Sequence, residues 1–199
     1  MTEPTYSGIV LAGGASRRMG CDKRFLDLDG VSLLGRVLSR LRPLVSELIV
    51  VTRDPEPLSG LDARVVTDRY PGMGVLAGVH AGLSAARNAW AFVVAGDMPL
   101  LNRALLQAMA GLADAATTDA VVPCWNGMFE PLHGLYHASV CAPAAERALL
   151  AGRRRIIAFY PEVRVHAMPE TDIVRWDPSG DSFSNVNTPE EWEAARRRF

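Results

Sequence analysis

The chain has 199 residues, of which 49% are hydrophobic and 22% charged, and its formal net charge is −1. This length suits one domain with a sizeable core, and the charge disfavours general nucleic-acid binding, which needs accumulated lysine and arginine. The three cysteines form no C-x-x-C pair, so neither a disulfide framework nor a zinc knuckle is predicted. No apolar run reaches the ~18 residues of a membrane span and no signal peptide is visible, so we expect a cytoplasmic protein with no membrane partner.

The first half of the sequence alternates β-branched apolar runs with helical patterns. Strands are predicted at residues 6–12, 47–52, 63–68 and 90–97. Helices are predicted at 34–42, at 75–87, and from a cap at Asn102 to about residue 115. The alternation predicts an α/β fold whose mainly parallel, twisted sheet is flanked by helices on both faces.

From residue 119 the regular alternation of strand and helix patterns ends. Residues 119–125 and 131–139 are strand-like and flank Asn126-Gly127, a dipeptide favoured in tight turns, so a small antiparallel hairpin is predicted. The connection is rather long for a two-residue turn. A helix near 140–151, the segment VRVHAMP at 163–169 and a helix opened by Thr188 complete the chain. We interpret residues 1–199 as one domain with two halves, 1–115 and 116–199.

The stretch LAGGASRRMGCDK, residues 11–23, directly follows the first predicted strand. Ligands of doubly wound sheets gather outside the carboxyl ends of the strands, where Gly13 and Gly14 leave the backbone open. Arg17, Arg18 and Lys23 can surround a polyphosphate. The spacing matches neither Walker A nor G-x-G-x-x-G. The alternative is a surface loop with a Gly-Gly turn and solvated charges.

Two acids end other predicted strands. Asp97 closes a very apolar strand, where an unpaired carboxylate is costly, and Mg²⁺ suits such an oxygen ligand beside substrate phosphates. Its alternative role is to cap the following turn. Asp68 holds the equivalent place after another strand, where it could accept from a base edge, help to hold the metal, or simply form a turn. The acids and the basic glycine loop together predict a magnesium-nucleotide site.

These residues resemble a known family. L-A-G-G-x-S-R-R-M-G-x-D-K resembles the signature of the sugar-nucleotide-transferase-like nucleotidyltransferases, and its tight form resembles the MobA-type molybdenum cofactor guanylyltransferases. Asp68 with GVLAG (74–78) and FSNVNTPEEW (183–192) resemble further segments of that family. AGDMPLL (95–101) resembles its metal-binding strand end, and EPLHGLY (130–136) resembles its second-substrate region. Val75 departs from the family, which usually has proline there.

The resemblance implies a Rossmann-like nucleotidyltransferase fold and transfer of GMP from GTP to molybdopterin carrying molybdenum, with Mg²⁺ as cofactor. GTP and molybdopterin would be the substrates, and transient docking to molybdoenzymes or their chaperones would follow. The residues implied to bind the nucleotide are Leu11, Ala12, Gly13, Gly14, Lys23, Asp68 and Asp97. The implied catalytic residues are Lys23, Asp97 and Arg18, with Asp97 also holding the metal. Asn185 and Asn187 are the candidate pterin contacts, although asparagines before a capped helix are often only turn formers.

Two alternatives to this function stay open. A cytidylyltransferase acting on the same pterin shares the opening motif, although LAGG with LAG at 76–78 favours guanine. A non-catalytic pterin carrier would keep the later half but would need neither Asp97 nor Lys23. The four histidines show no metal-ligand spacing, and we expect them, like Trp90 and Trp192, to have structural roles. Trp125 is expected to pack as well, and a contact with the pterin is its alternative role.

Overall fold

The structure is a computed structural model that describes residues 6–13, 23–58 and 60–199. Gly14, Arg17 and Arg18 lie outside these residues, as does the side chain of Lys23, whose backbone begins a short 3₁₀ helix. The strands of the described chain are β1 (Tyr6–Leu11), β2 (Asp27–Leu28), β3 (Val31–Ser32), β4 (Glu47–Val51), β5 (Arg64–Val66), β6 (Trp90–Ala95), β7 (Ala120–Trp125), β8 (Met128–Phe129), β9 (His133–His137) and β10 (Val165–Met168). The α-helices are α1 (Leu33–Leu41), α2 (Val75–Ala85), α3 (Arg103–Ala110), α4 (Ala138–Leu150), α5 (Glu170–Ile173) and α6 (Pro189–Arg196).

The central sheet has the strand order β10-β7-β9-β6-β1-β4-β5, and β8 pairs with β7. The pairs β1–β4, β1–β6, β4–β5 and β7–β10 are parallel, whereas β9 is antiparallel to both β6 and β7. The predicted mainly parallel α/β sheet is confirmed. The chain runs from β1 outward to β4 and β5 and then returns to the other side of β1 with β6. A sheet of this kind binds ligands at the carboxyl ends of the strands where the order reverses.

Helices cover both faces because successive strand residues point to opposite sides. Val10 packs into a core with α1 and α3, whereas its neighbour Ile9 packs into a second core with α2 and α4. Both residues are fully buried. A parallel strand with two covered faces needs a continuous apolar run, which the sequence of β1 supplies.

The predicted hairpin is present, but its second strand differs from the prediction. Asn126 and Gly127 have φ values of 50° and 73°, the left-handed conformation that a two-residue hairpin turn requires. The turn joins β7 to the two-residue strand β8, because Met128 and Phe129 pair with Trp125 and Cys124. The longer predicted partner becomes β9, which inserts between β6 and β7.

Several predicted helix boundaries change, and the helix predicted at 75–87 ends at Ala85. The helix capped by Asn102 ends at Ala110 rather than near residue 115, and Gly111 follows it. The helix predicted near 140–151 begins two residues earlier, at Ala138. At the other end of the chain, Thr188 and Glu191 form a complete capping box on α6. Within the described residues, no helix is long and apolar enough to cross a membrane.

Two glycines of α2 offer a matched test of packing. A Cβ atom at Gly82 would overlap the side chain of Ile9 and lie 3.2 Å from Val51 Cγ2, whereas a Cβ atom at Gly78 would lie 3.5 Å from Leu11 Cδ2. We expect Gly82→Ala to lower the free energy of unfolding by about 1–3 kcal/mol through overpacking. Gly78→Ala should be neutral, or stabilising by up to about 1 kcal/mol through helix propensity. Urea denaturation measures both, and equal stability of the two variants would contradict this packing.

Candidate active site

A cleft of about 610 Å³ opens at the carboxyl ends of β1, β4, β5 and β6. Its volume lies within the range of small-molecule sites. The described candidates from the sequence all line it, namely Leu11, Ala12, Gly13, Asp68, Asp97, Asn185 and Asn187. Residues from six separate parts of the chain also line it, among them Arg24, Thr52, Arg53, Gly74, Val75, Gly78, Gly96, Met98, Glu130, Pro131, Leu132 and Ile156.

The end of β1 forms an open backbone ledge in the cleft. The Ala12 amide donates to the Val51 carbonyl at 2.8 Å, and the Gly96 amide donates to the Leu11 carbonyl at 2.9 Å, so both neighbouring strands hold the ledge. A Cβ atom on Gly13 would meet no described atom within 4 Å, whereas one on Gly96 would lie 3.0 Å from the Leu11 carbonyl oxygen. No described residue therefore covers Gly13 on that side, and Gly96 allows the close approach of β1 and β6.

Asp68 follows β5 and has a buried acceptor without a donor. Its Oδ1 atom is inaccessible to solvent, and no group in the described part of the chain hydrogen-bonds to it. The loop around it is anchored, because the Tyr70 hydroxyl donates to Glu146 Oε1 at 2.7 Å and the Tyr70 ring stacks edge-on with His80. Buried polar atoms in native proteins nearly always have partners, and the place of Asp68 in the cleft makes this oxygen a candidate acceptor for a donor on a ligand.

Asp97 connects the sheet to the C-terminal segment. It is half-buried, and its carbonyl accepts a hydrogen bond from the Val186 amide at 2.9 Å. That bond places Asn185 and Asn187, which flank Val186, at the edge of the cleft. The Asn187 amide donates to Glu191 Oε2 at 2.6 Å. Asn187 therefore also helps to begin α6, and the turn-forming alternative and the ligand-binding one are compatible.

Comparison with known proteins identifies the family. Residues 8–165 match the model of the MobA-like NTP transferase domain. The chain belongs to this family. A probable molybdenum cofactor guanylyltransferase of Natranaerobius thermophilus is 34% identical over 195 residues, which cover 96% of this chain and 95% of that protein. A molybdenum cofactor guanylyltransferase of Desulfosudis oleivorans is 37% identical over 190 residues, which cover 95% and 93% of the two chains.

A solved structure agrees with this assignment. Molybdopterin-guanine dinucleotide biosynthesis protein A from Archaeoglobus fulgidus matches the fold with a TM-score of 0.83 at 31% identity, and the match covers 96% of this chain and 97% of that one. The resemblance inferred from the sequence motifs is therefore confirmed at the level of the family and the fold.

The donor set of this MobA-like transferase fits a magnesium ion that is shared with a substrate. Asp68 and Asp97 bring carboxylate oxygens to one cleft, and Asp68 Oδ1 lacks a donor among the described residues. Within the same described ranges, no group of three or more histidine, cysteine, aspartate or glutamate side chains could cage a metal. Mg²⁺ usually binds through one or two carboxylates together with substrate phosphates, and these residues suit that arrangement.

Several residues of the cleft lie outside the set predicted from the sequence. Thr52 and Arg53 directly follow β4, so the rule that selected Asp68 and Asp97 would have found them. Arg24 lies beside the predicted Lys23, and its Nη1 atom donates to Thr52 Oγ1 at 2.9 Å. Glu130 begins the segment whose resemblance implied the second substrate, but the strand-end rule does not select it because it precedes an antiparallel strand, whose amino end faces the cleft.

The residues expected to be structural mostly pack as such. Trp125 stacks on Phe183 with ring centroids 5.5 Å apart, and that contact holds the C-terminal segment against the sheet. His133 is fully buried on β9, and its ring lies 5.1 Å from the Phe183 ring. Neither ring nitrogen of His133 has a hydrogen-bond partner in the described chain. His133 therefore packs as a neutral ring.

Proposed function

We propose that this MobA-like transferase joins GMP from GTP to the terminal phosphate of molybdopterin carrying molybdenum and releases pyrophosphate. The observation that carries the proposal is the gathering of Asp68, Asp97 and the open Leu11–Gly13 ledge in one cleft. The names of relatives that are 34% and 37% identical over nearly the whole chain support the same reaction. The product would pass to a molybdoenzyme or its chaperone, and the reaction would take place in the cytoplasm.

The chemistry needs positioning and charge more than a base. A phosphate oxygen of the pterin attacks the α-phosphorus of GTP, the bond from that phosphorus to the bridging oxygen of the β-phosphate breaks, and pyrophosphate leaves. Because the attacking oxygen is already anionic, no side chain has to remove a proton. The barrier comes from repulsion between two anions and from charge that grows on the leaving group, and preorganised cations lower both.

The residues take the following roles in this proposal. The Leu11–Gly13 ledge and Gly14 hold the guanine nucleotide, and Asp68 accepts a hydrogen bond from it. Lys23 and Arg18, with Arg17 nearby, bind the triphosphate. Asp97 holds Mg²⁺, which when bound supplies positive charge to the phosphates. Asn185 and Asn187 contact the pterin.

Incubation of the purified protein with molybdopterin, Mg²⁺ and either GTP or CTP tests the proposal. The expected result is pyrophosphate release with formation of the guanine dinucleotide from GTP. Incorporation of CMP alone would make the protein a cytidylyltransferase. Binding of molybdopterin without turnover of either nucleotide would make it a carrier.

A further inference from the structure

One carboxylate in the cleft has no role in the reaction described above. Glu130 lies between β8 and β9, where its amide donates to the Pro123 carbonyl at 2.9 Å and its carbonyl accepts from the His133 amide at 3.0 Å. The side chain is half-buried, and no described residue donates a hydrogen bond or forms an ion pair with it. Burial raises the pKa of the Glu130 carboxyl. A partly desolvated carboxylate without a described donor is available to accept hydrogen bonds from a ligand that brings N–H groups into the cleft.

The strand order places Glu130 on the side of the cleft away from Asp68. Along this edge of the sheet the strands run β9-β6-β1-β4-β5, so Asp97 at the end of β6 lies between the two acids. The Ala95 amide donates to the Leu132 carbonyl at 3.2 Å and fixes the segment before β9 next to β6. If the nucleotide occupies the side of β1, β4 and β5, Glu130 faces the second substrate.

The surroundings of Glu130 suit the edge of a flat heteroaromatic ring. Pro131 and Leu132 follow Glu130 in the chain and, like Ile156, supply apolar lining of the same cleft. The Tyr136 hydroxyl donates to the Pro131 carbonyl at 2.8 Å, which holds this segment in place before any ligand binds. A small number of polar groups on an otherwise apolar wall is typical of a site that fixes the orientation of a ring.

We propose that Glu130 determines specificity for the pterin by binding the adjacent ring N–H and exocyclic amino group of its 2-amino-4-oxopyrimidine edge. The two donors are parallel and match the two oxygens of a carboxylate. This inference rests on the proposed function, because it takes the second substrate to be a pterin. Guanine carries the same pair of donors, but its proposed position lies across Asp97 from Glu130.

Binding measurements test the inference independently of turnover. The dissociation constants of molybdopterin and of GTP with Mg²⁺ are measured separately for the wild type, Glu130→Gln, Glu130→Asp and the control Glu56→Gln. Glu56 is exposed and lies outside the cleft lining. We expect Glu130→Gln to weaken molybdopterin binding about 10- to 100-fold, because the side-chain NH₂ of glutamine would face an N–H donor of the pterin. GTP binding should weaken less than about twofold. Glu130→Asp, which keeps the charge, should lose less molybdopterin affinity than Glu130→Gln.

A pair of analogues identifies the group that Glu130 recognises. Lumazine-6-carboxylate carries an oxygen where pterin-6-carboxylate carries the amino group, and each is used to displace molybdopterin. The wild type should prefer the pterin by about tenfold or more, and Glu130→Gln should lose most of that preference. A general disturbance of the fold would weaken both analogues equally.

The possible results separate the inference from the proposed function. Equal binding of molybdopterin by the wild type and Glu130→Gln overturns the inference and leaves the function standing. If Glu130→Gln weakens the binding of GTP alone and no longer discriminates against xanthosine triphosphate, the inference is overturned as well, and Glu130 is assigned to guanine. Failure of the wild type to bind molybdopterin overturns both.

Discussion

Replacement of Asp97 by asparagine is expected to slow pyrophosphate release from GTP and molybdopterin about a hundredfold, which corresponds to about 3 kcal/mol of barrier. The amide has the shape of the carboxylate but lacks its charge, so it holds a divalent ion poorly. The backbone contact to Val186 uses the carbonyl of Asp97 and does not depend on its side chain. That contact should therefore survive the substitution, and a continuous pyrophosphate assay measures the effect.

The control for this experiment is Asp29→Asn. Asp29 is exposed, lies outside the cleft and has a φ of 56°, a conformation that asparagine tolerates well. Its activity should equal that of the wild type. If Asp97→Asn releases pyrophosphate at the wild-type rate while its thermal unfolding is unchanged, Asp97 does not hold the metal. Unchanged transfer of bound pterin by an inactive variant would favour the carrier function.

The second large effect concerns stability in acid. Burial lowers the pKa of His133 from 6.5 to about 4, although the nearby Asp177 carboxylate opposes the shift. As the pH falls below 6.5 the unfolded chain takes up a proton on this histidine, whereas the folded chain does not until the pH is near 4. The contribution of His133 is therefore present above pH 6.5, and about 3 kcal/mol of stability is lost between pH 6.5 and 4.

Substitution of His133 by phenylalanine tests this pH dependence. The variant keeps a ring against Phe183 but has no titrating group, so its free energy of unfolding should fall less steeply in this pH range. Urea denaturation at several pH values gives the slope, which matters more than the absolute stability of the variant. The control replaces the exposed His166 by glutamine. Parallel curves for the wild type and His133→Phe would refute a buried neutral His133.

Much of the site could be predicted because its residues follow strands whose sequences are distinctive. The apolar runs of β1 and β6 end at Gly13 and Asp97, and parallel strands bring their carboxyl ends to one edge. Asp68 follows the same rule after β5. The prediction of these positions required only local sequence patterns and the assumption of a parallel sheet.

The remaining parts depend on long-range pairing, which local patterns do not contain. The Asn126-Gly127 turn specifies a hairpin but not the length of its second strand, so β9 could not be separated from β8 in advance. Because β9 is antiparallel to β6, the residues that precede β9 lie at the carboxyl end of β6, in the cleft. Glu130 is one of these residues. Arg24 lies in a 3₁₀ turn without a periodic signal and reaches the cleft through Thr52.

The position of β9 has a consequence for how the molecule unfolds. The strand belongs to the later part of the chain, yet it forms ladders with β6 on one side and β7 on the other. Neither the earlier nor the later part of the chain can unfold without exposing strand edges of the other, so we expect one cooperative thermal transition. A protease cut in the exposed turn at residues 115–117 should leave two fragments that copurify until denaturant is added.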